Sequence, residues 1–182
     1  MKVTKTEFRD LLILEPYIFP DDRGFFFEAF NRNTMEKEGL GLTFVQDNES
    51  YSKKNVLRGL HFQRHPFAQT KLVRVVAGAI RDVVVDLRKN EPTYSQHFAI
   101  SLSSENKKQL FVPKGFAHGF IVLSETAEVI YKSDEYYRPE SEGGILYSDP
   151  RLGIDWEVSA SQIIVSNKDM INPLLVNAVF DF

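Results

Sequence analysis

Residues 58–71 read Arg-Gly-Leu-His-Phe-Gln-Arg-His-Pro-Phe-Ala-Gln-Thr-Lys, and chemistry is densest here. One β-like run, Val56 to Phe62, leads into this stretch, and another, Lys71 to Val76, leads out of it. Arg58, His61, Gln63 and Lys71 therefore sit at or beside strand ends. Two fixed cations beside a histidine make a poor core and a good anion site with a titratable group in it. The plainer alternative is a solvated sheet face carrying an ordinary histidine. Arg58 and His61 are three apart, so a regular strand would point them to opposite faces. Gly59 between them predicts a β-bulge that turns both the same way.

Three other places carry chemistry-bearing side chains. Pro113-Lys-Gly-Phe-Ala-His118-Gly-Phe is a turn that delivers a histidine to the start of a strand. Its Pro-x-Gly-x-x-His spacing resembles half of the cupin signature, in which such a histidine often binds a metal. A transition-metal site needs about three convergent ligands. Only His61 and His118 are suitably placed, so no metal is expected. Arg23 lies in a Pro-Asp-Asp-Arg-Gly turn with Phe26 and Glu28 just after it, and this set could hold a planar heterocycle or could be a hairpin with incidental charge. Gln46 and Asn48 share one strand face with Phe44 and Ser50, and their amides can hydrogen-bond a polar ligand.

These residues need a scaffold, and the chain predicts one made of strands. Fifteen Phe and seven Tyr against one Trp lean towards β structure. Short apolar or alternating runs recur at Leu11–Leu14, Phe25–Phe30, Phe44–Ser52, Leu72–Val76, Ile80–Leu87, 98–102, Gln109–Val112, Ala117–Leu123 and Ala127–Lys132. Turn signals separate them every eight to twelve residues or so, the spacing of a sandwich or barrel of the jelly-roll kind. Leu11–Leu14 reads as an edge strand or arm. One short helix is expected from Asn33, with Asn33 as cap, Glu36 at the capping-box position and Gly39 as the stop. At 182 residues the chain fits one domain, 1–182. A net charge of −3 without basic blocks excludes a general nucleic-acid or membrane-surface binder. There is no cysteine for disulfides, thiolate ligands or a thiol nucleophile, and no apolar signal core or long apolar run. A cytoplasmic protein is expected.

Taken together, the motifs resemble the dTDP-4-dehydrorhamnose 3,5-epimerase family over nearly the whole chain. The resemblance rests on Asp-Asp-Arg23-Gly-Phe-Phe26-Phe-Glu28, Phe-Val-Gln46-Asp-Asn48, Arg58-Gly-Leu-His61-Phe-Gln and Ala-Gln-Thr-Lys71-Leu-Val-Arg. It continues through the His118 motif, Tyr131-Lys, Tyr136-Tyr137, Pro139-Glu-Ser-Glu142 and Ser-Asn-Lys168-Asp169. It implies an all-β, cupin-type jelly-roll homodimer that uses no metal or coenzyme. It also implies inversion of the two carbons flanking the ketone of a dTDP-linked 4-keto-6-deoxy sugar, a step of dTDP-L-rhamnose biosynthesis.

By that resemblance His61 is the base, Asp169 its orienting carboxylate, Lys71 the charge facing the enolate oxygen and Tyr131 the acid on the other face. Arg23 and Arg58 would bind diphosphate, an anion suited to the arginine fork. Phe26 and Tyr137 would stack on thymine or flank the sugar, and Glu28, Gln46, Asn48, His118, Glu142 and Lys168 would line the nucleotide or sugar. His65 and His97 gain no role. A relative that epimerises carbon 3 alone or moves the keto group, a non-catalytic sugar-nucleotide-binding jelly roll and a metal-dependent cupin oxygenase remain as rivals.

Overall fold

The computed structural model describes residues 1–182. The strands are Lys2–Lys5 (β1), Leu12–Glu15 (β2), Ile18–Asp21 (β3), Gly24–Phe27 (β4), Gln46–Lys53 (β5), Leu57–Gln63 (β6) and Lys71–Ala77 (β7). They continue as Ala79–Asp86 (β8), His97–Ser103 (β9), Gln109–Val112 (β10), Phe116–Val122 (β11), Thr126–Ser133 (β12) and Glu142–Gly144 (β13). The two α-helices are Arg32–Lys37 (α1) and Asn167–Met170 (α2). No helix is long and apolar enough to cross a membrane.

A six-stranded sheet, ordered β1-β2-β10-β7-β12-β5, packs on a five-stranded sheet, ordered β13-β6-β11-β8-β9. All pairings are antiparallel, giving a jelly-roll sandwich. Val73, Val75, Ile80, Val84, Leu110, Phe120, Val122 and Val129 fill the space between the sheets, with Phe8 and Phe116 closing one end. Outside the five-stranded sheet a second core gathers Leu57, Leu60, Phe62, Val83, Val85 and Ile121 under the C-terminal segment, which contributes Leu152, Trp156 and Leu175. Strand β8 is covered on both faces, which is why its sequence runs Val83-Val84-Val85 without alternation; all three are fully buried. Each such burial contributes roughly 1.5–3 kcal/mol. A smaller cluster, Leu12, Leu14, Met35, Leu72 and Phe111, lies on the outer face of the six-stranded sheet.

Two local expectations are corrected. Asn31, not Asn33, caps α1: its side chain accepts from the Thr34 amide, and Glu36 pairs with Arg32 instead of closing a capping box. Gly39, at φ +78°, follows the helix as expected. Strand β2 is not an edge, because β1 folds back on it and β10 takes its other side. The hairpin β3–β4 stands apart as its own two-stranded sheet.

Candidate active site

The sandwich leaves one large cavity between its sheets, of about 800 Å³. Arg58 and His61 enter it from β6, His118 and Phe120 from β11, Asn48 and Ser50 from β5, Lys71 from β7 and Tyr131 from β12. Ser166, Lys168 and Asp169 close over it from the C-terminal segment.

The bulge at Gly59 makes this convergence possible. Along β6–β11, His61 pairs with His118 and Arg58 with Phe120, so Gly59 and Leu60 together face Gly119 alone. That extra residue shifts the side-chain phase by one. Leu57, Leu60 and Phe62 point to the outer core, while Arg58 and His61 both line the cavity. Gly59 has φ +134°, and a Cβ there would lie 2.5 Å from the Gly119 Cα, so the position admits no side chain.

Asp169 comes from 108 residues away and accepts from His61 Nε2 at 2.6 Å. Its delivery is local and specific. The Ile164 carbonyl accepts from the Leu57 amide and the Ile164 amide donates to the Asn55 carbonyl, stitching the C-terminal segment to the start of β6. Ser166 then caps α2 by accepting from the Asp169 amide. Burial alone would raise the Asp169 carboxyl. The His61 hydrogen bond and charge and the Gly59 amide outweigh it and hold the carboxyl below the usual aspartate value. With Nε2–H given to an ionised carboxylate, Nδ1 of His61 carries the free lone pair.

On the facing sheet, Lys71 shares the inward parity of Val73 and Val75, and Tyr131 that of Ala127 and Val129. The Lys71 Nζ lies 5.6 Å from the Tyr131 ring centre. Burial pulls the Lys71 ammonium down to about 8, against the attraction of Asp82 and Glu142. Burial also raises the Tyr131 phenol, with Arg58 opposing and Glu142 assisting, so Tyr131 keeps its proton at neutral pH.

The remaining expected residues fall into two groups. Arg58 donates through Nε to Ser52, which leaves the rest of its fork for a ligand. Gln46, Tyr137 and Glu142 are tied to the cavity's lining residues without lining it themselves. Gln46 donates to Asn48 Oδ1 at 2.8 Å and accepts from the Tyr137 amide at 3.0 Å. Glu142 accepts from the Tyr137 hydroxyl at 2.7 Å and from Lys168 at 2.6 Å. Arg23, Phe26 and Glu28 are not brought to the cavity. Arg23 projects from the β3–β4 turn with its side chain 90% exposed and pairs with Asp21. Phe26 is 70% exposed, and Phe26 and Glu28 line a separate groove with Tyr17 and Phe19.

The sequence reading missed Phe120 and Ser166, which line the cavity, and one buried acid. Asp82 lies on the cavity-facing parity of β8, between Ile80 and Val84, and is fully buried against His118. An acid on the apolar parity of a valine-rich strand was the available signal.

A base backed by a carboxylate on one wall, and a phenol with a half-buried ammonium on the other, can move protons on and off two faces of a bound molecule. Comparison with known proteins agrees. The family described as dTDP-4-dehydrorhamnose 3,5-epimerase matches residues 5–177. The Salmonella typhimurium protein of that name is 55% identical, the alignment covering 98% of each chain. The dTDP-4-dehydrorhamnose 3,5-epimerase of Bacillus anthracis, solved with TDP and PPi bound, is similar at 51% identity and a TM-score of 0.93, covering 96% of this chain and 99% of that one. The Legionella pneumophila dTDP-6-deoxy-D-glucose-3,5-epimerase, in complex with dTDP-4-keto-L-rhamnose, gives 48% identity and a TM-score of 0.92, covering 97% and 93%. The chain belongs to the dTDP-4-dehydrorhamnose 3,5-epimerase family.

Proposed function

We propose that residues 1–182 form one epimerase domain that converts dTDP-4-dehydro-6-deoxy-D-glucose to dTDP-4-dehydro-L-rhamnose by inverting carbons 3 and 5. The observation that carries this reading is the placement of His61 and Tyr131 on opposite sheets across one cavity, with Lys71 beside the phenol. The ketone at carbon 4 acidifies the hydrogens on both neighbours. His61 takes one through Nδ1, and Asp169 stabilises the imidazolium, a general-base contribution typically of about 10²–10⁴-fold. The Lys71 ammonium faces the oxygen on which negative charge develops, so it interacts more strongly with the enolate than with the ketone. Tyr131 returns a proton from the other face, which inverts the centre. Once His61 has lost its proton to solvent and Tyr131 has regained one from it, a second round at the other flanking carbon completes the change. Arg58 holds the diphosphate, and Gln46, Asn48, His118, Tyr137, Glu142 and Lys168 bind sugar and base.

The protein works as a homodimer in the cytoplasm. Its β3–β4 hairpin carries Arg23 and Phe26 away from their own cavity, and the exposed Phe19, Phe25 and Phe26 suit burial against a second copy. In this reading Arg23, Phe26 and Glu28 complete the partner's site.

Incubation with dTDP-4-keto-6-deoxyglucose in deuterated water tests the reaction. Solvent deuterium enters at carbons 3 and 5 in the wild type and at neither in His61→Ala. Tyr131→Phe still exchanges but inverts poorly. Deuterium at carbon 3 alone would reduce the activity to a monoepimerase, and none at either carbon would leave a binding protein.

A further inference from the structure

We propose that Asp82 is a positioning residue of this reaction, fixing the tautomer of His118 and placing a carboxylate to act on Lys71. The proposal rests on the epimerase reading for its kinetic consequence but not for its geometry. Strands β6, β11 and β8 lie side by side; His118 pairs with His61 on one side and Val84 on the other, and Asp82, two residues along β8 on the same face as Val84, reaches His118 diagonally. Asp82 is 0% and His118 7% exposed. The His118 Nε2 lies 2.9 Å from one Asp82 carboxylate oxygen and 3.1 Å from the other. Asp82 makes no ion pair with Lys or Arg, so the imidazole is its hydrogen-bonding partner.

A buried carboxylate is costly to keep ionised, and a packed apolar side chain between Ile80 and Val84 would avoid that cost. Two consequences explain why the acid is useful here. First, a carboxylate at Nε2 places the ring proton there, so Nδ1 is the nitrogen that His118 offers to the cavity it lines. The same arrangement recurs next door, where Asp169 holds Nε2 of His61, so the site contains two carboxylate-oriented imidazoles. Second, Lys71 shares the cavity with two other fixed cations, Arg58 and Lys168, and stands beside the neutral Tyr131 phenol. The carboxylates that sustain its ammonium are Asp82, the larger influence, and Glu142. Glu142 is already engaged by Lys168 and Tyr137, and nearby Asp134 by Lys114 and the Thr70 amide. Of the two carboxylates whose charge acts on Lys71, Asp82 is thus the one without a lysine or arginine partner of its own.

The test has two arms. In Asp82→Asn, which keeps the volume, the basic limb of the kcat/KM profile moves down by about one pH unit, as expected on removing a nearby opposite charge. The loss of activity is therefore several-fold greater at pH 8.5 than at pH 6.5. A folded Asp82→Asn variant whose basic limb stays in place, whatever its overall rate, would overturn the proposal. The second arm needs no variant: ¹⁵N NMR of histidine-labelled wild-type protein shows His118 protonated at Nε2 throughout about pH 6–9. A His118 protonated at Nδ1 alone overturns the proposal even if Asp82→Asn fails to fold. Deuterium exchange by the wild type, run in parallel, separates failure of the epimerase reading from failure of this one.

Discussion

At the scale of single residues the site is a set of opposed protonation demands. His61 must be able to accept a proton while Lys71 must already carry one. Burial lowers the Lys71 ammonium from its ordinary value to about 8. Its folded pKa is thus below its unfolded one, and the sign follows. The penalty for burying the charge is present in full below about pH 8 and is relieved as pH rises towards 10.5, so this group alone makes the fold more stable with increasing pH across that window. Activity runs the other way, since only the ammonium can meet an enolate. The profile of kcat/KM for the wild type should therefore fall as pH rises through about 8. Lys71→Met should lower activity by about 10²–10³ and abolish that limb. A limb that persists in Lys71→Met would belong to another group. The identity of His61 and Lys71 as candidates was legible in the sequence because two histidines and three cations cluster within fourteen positions. Asp169 was legible only through family resemblance, because no local pattern ties a residue in α2 to a strand 108 residues earlier.

Elements succeed or fail as readings according to how strongly they alternate. Strand β10 was read residue for residue as Gln109–Val112, and the borders of β7, β8, β11 and β12 lie within a residue or so of the apolar runs that mark them. Strand β13, Glu142–Gly144, has two glycines and no apolar face, so no period announces it; it forms because β6 offers it a free edge. The helix cap slid from Asn33 to Asn31 because both asparagines fit the local pattern, and only the position of the Thr34 amide decides between them. The bulge was legible for a stricter reason: Arg58 and His61 have incompatible parity without it. That makes Gly59 the element-scale test. A methyl group there meets the Gly119 Cα at 2.5 Å and must adopt φ +134°, so Gly59→Ala should cost about 1–3 kcal/mol of stability or more, seen as a lower Tm. If the strand relieves the clash by losing its extra residue, His61 turns to the outer core and activity falls by about the full worth of the base, 10²–10⁴-fold. A variant of wild-type stability and rate would show that the bulge does not set the phase of β6.

The whole molecule poses a question that one chain does not answer by itself. Family resemblance puts Arg23, Phe26 and Glu28 at the substrate, yet the hairpin that bears two of them projects from the sandwich, its aromatic residues exposed and its arginine paired only with its neighbour Asp21. Sequence reading could find these residues by type but could not assign them to a cavity, because in the proposed dimer that assignment depends on a second copy. The proposed symmetric dimer would resolve the conflict, with each hairpin reaching the other subunit's opening. The arrangement is testable by complementation. Arg23→Ala should lose most activity through weaker diphosphate binding, chiefly as a higher KM, and His61→Ala should lose nearly all of it through the missing base. In a mixed dimer, the subunit carrying Arg23→Ala retains His61 and receives an intact Arg23 from its partner, so one site of two is whole. Refolding the two inactive variants together at equal amounts forms mixed dimers as about half of the population, and should restore roughly a quarter of wild-type activity. If Arg23 served its own chain's cavity, every mixed dimer would contain one site without Arg23 and one without His61. Mixing would then restore nothing beyond the average of the two variants, and the crossed hairpin would be refuted.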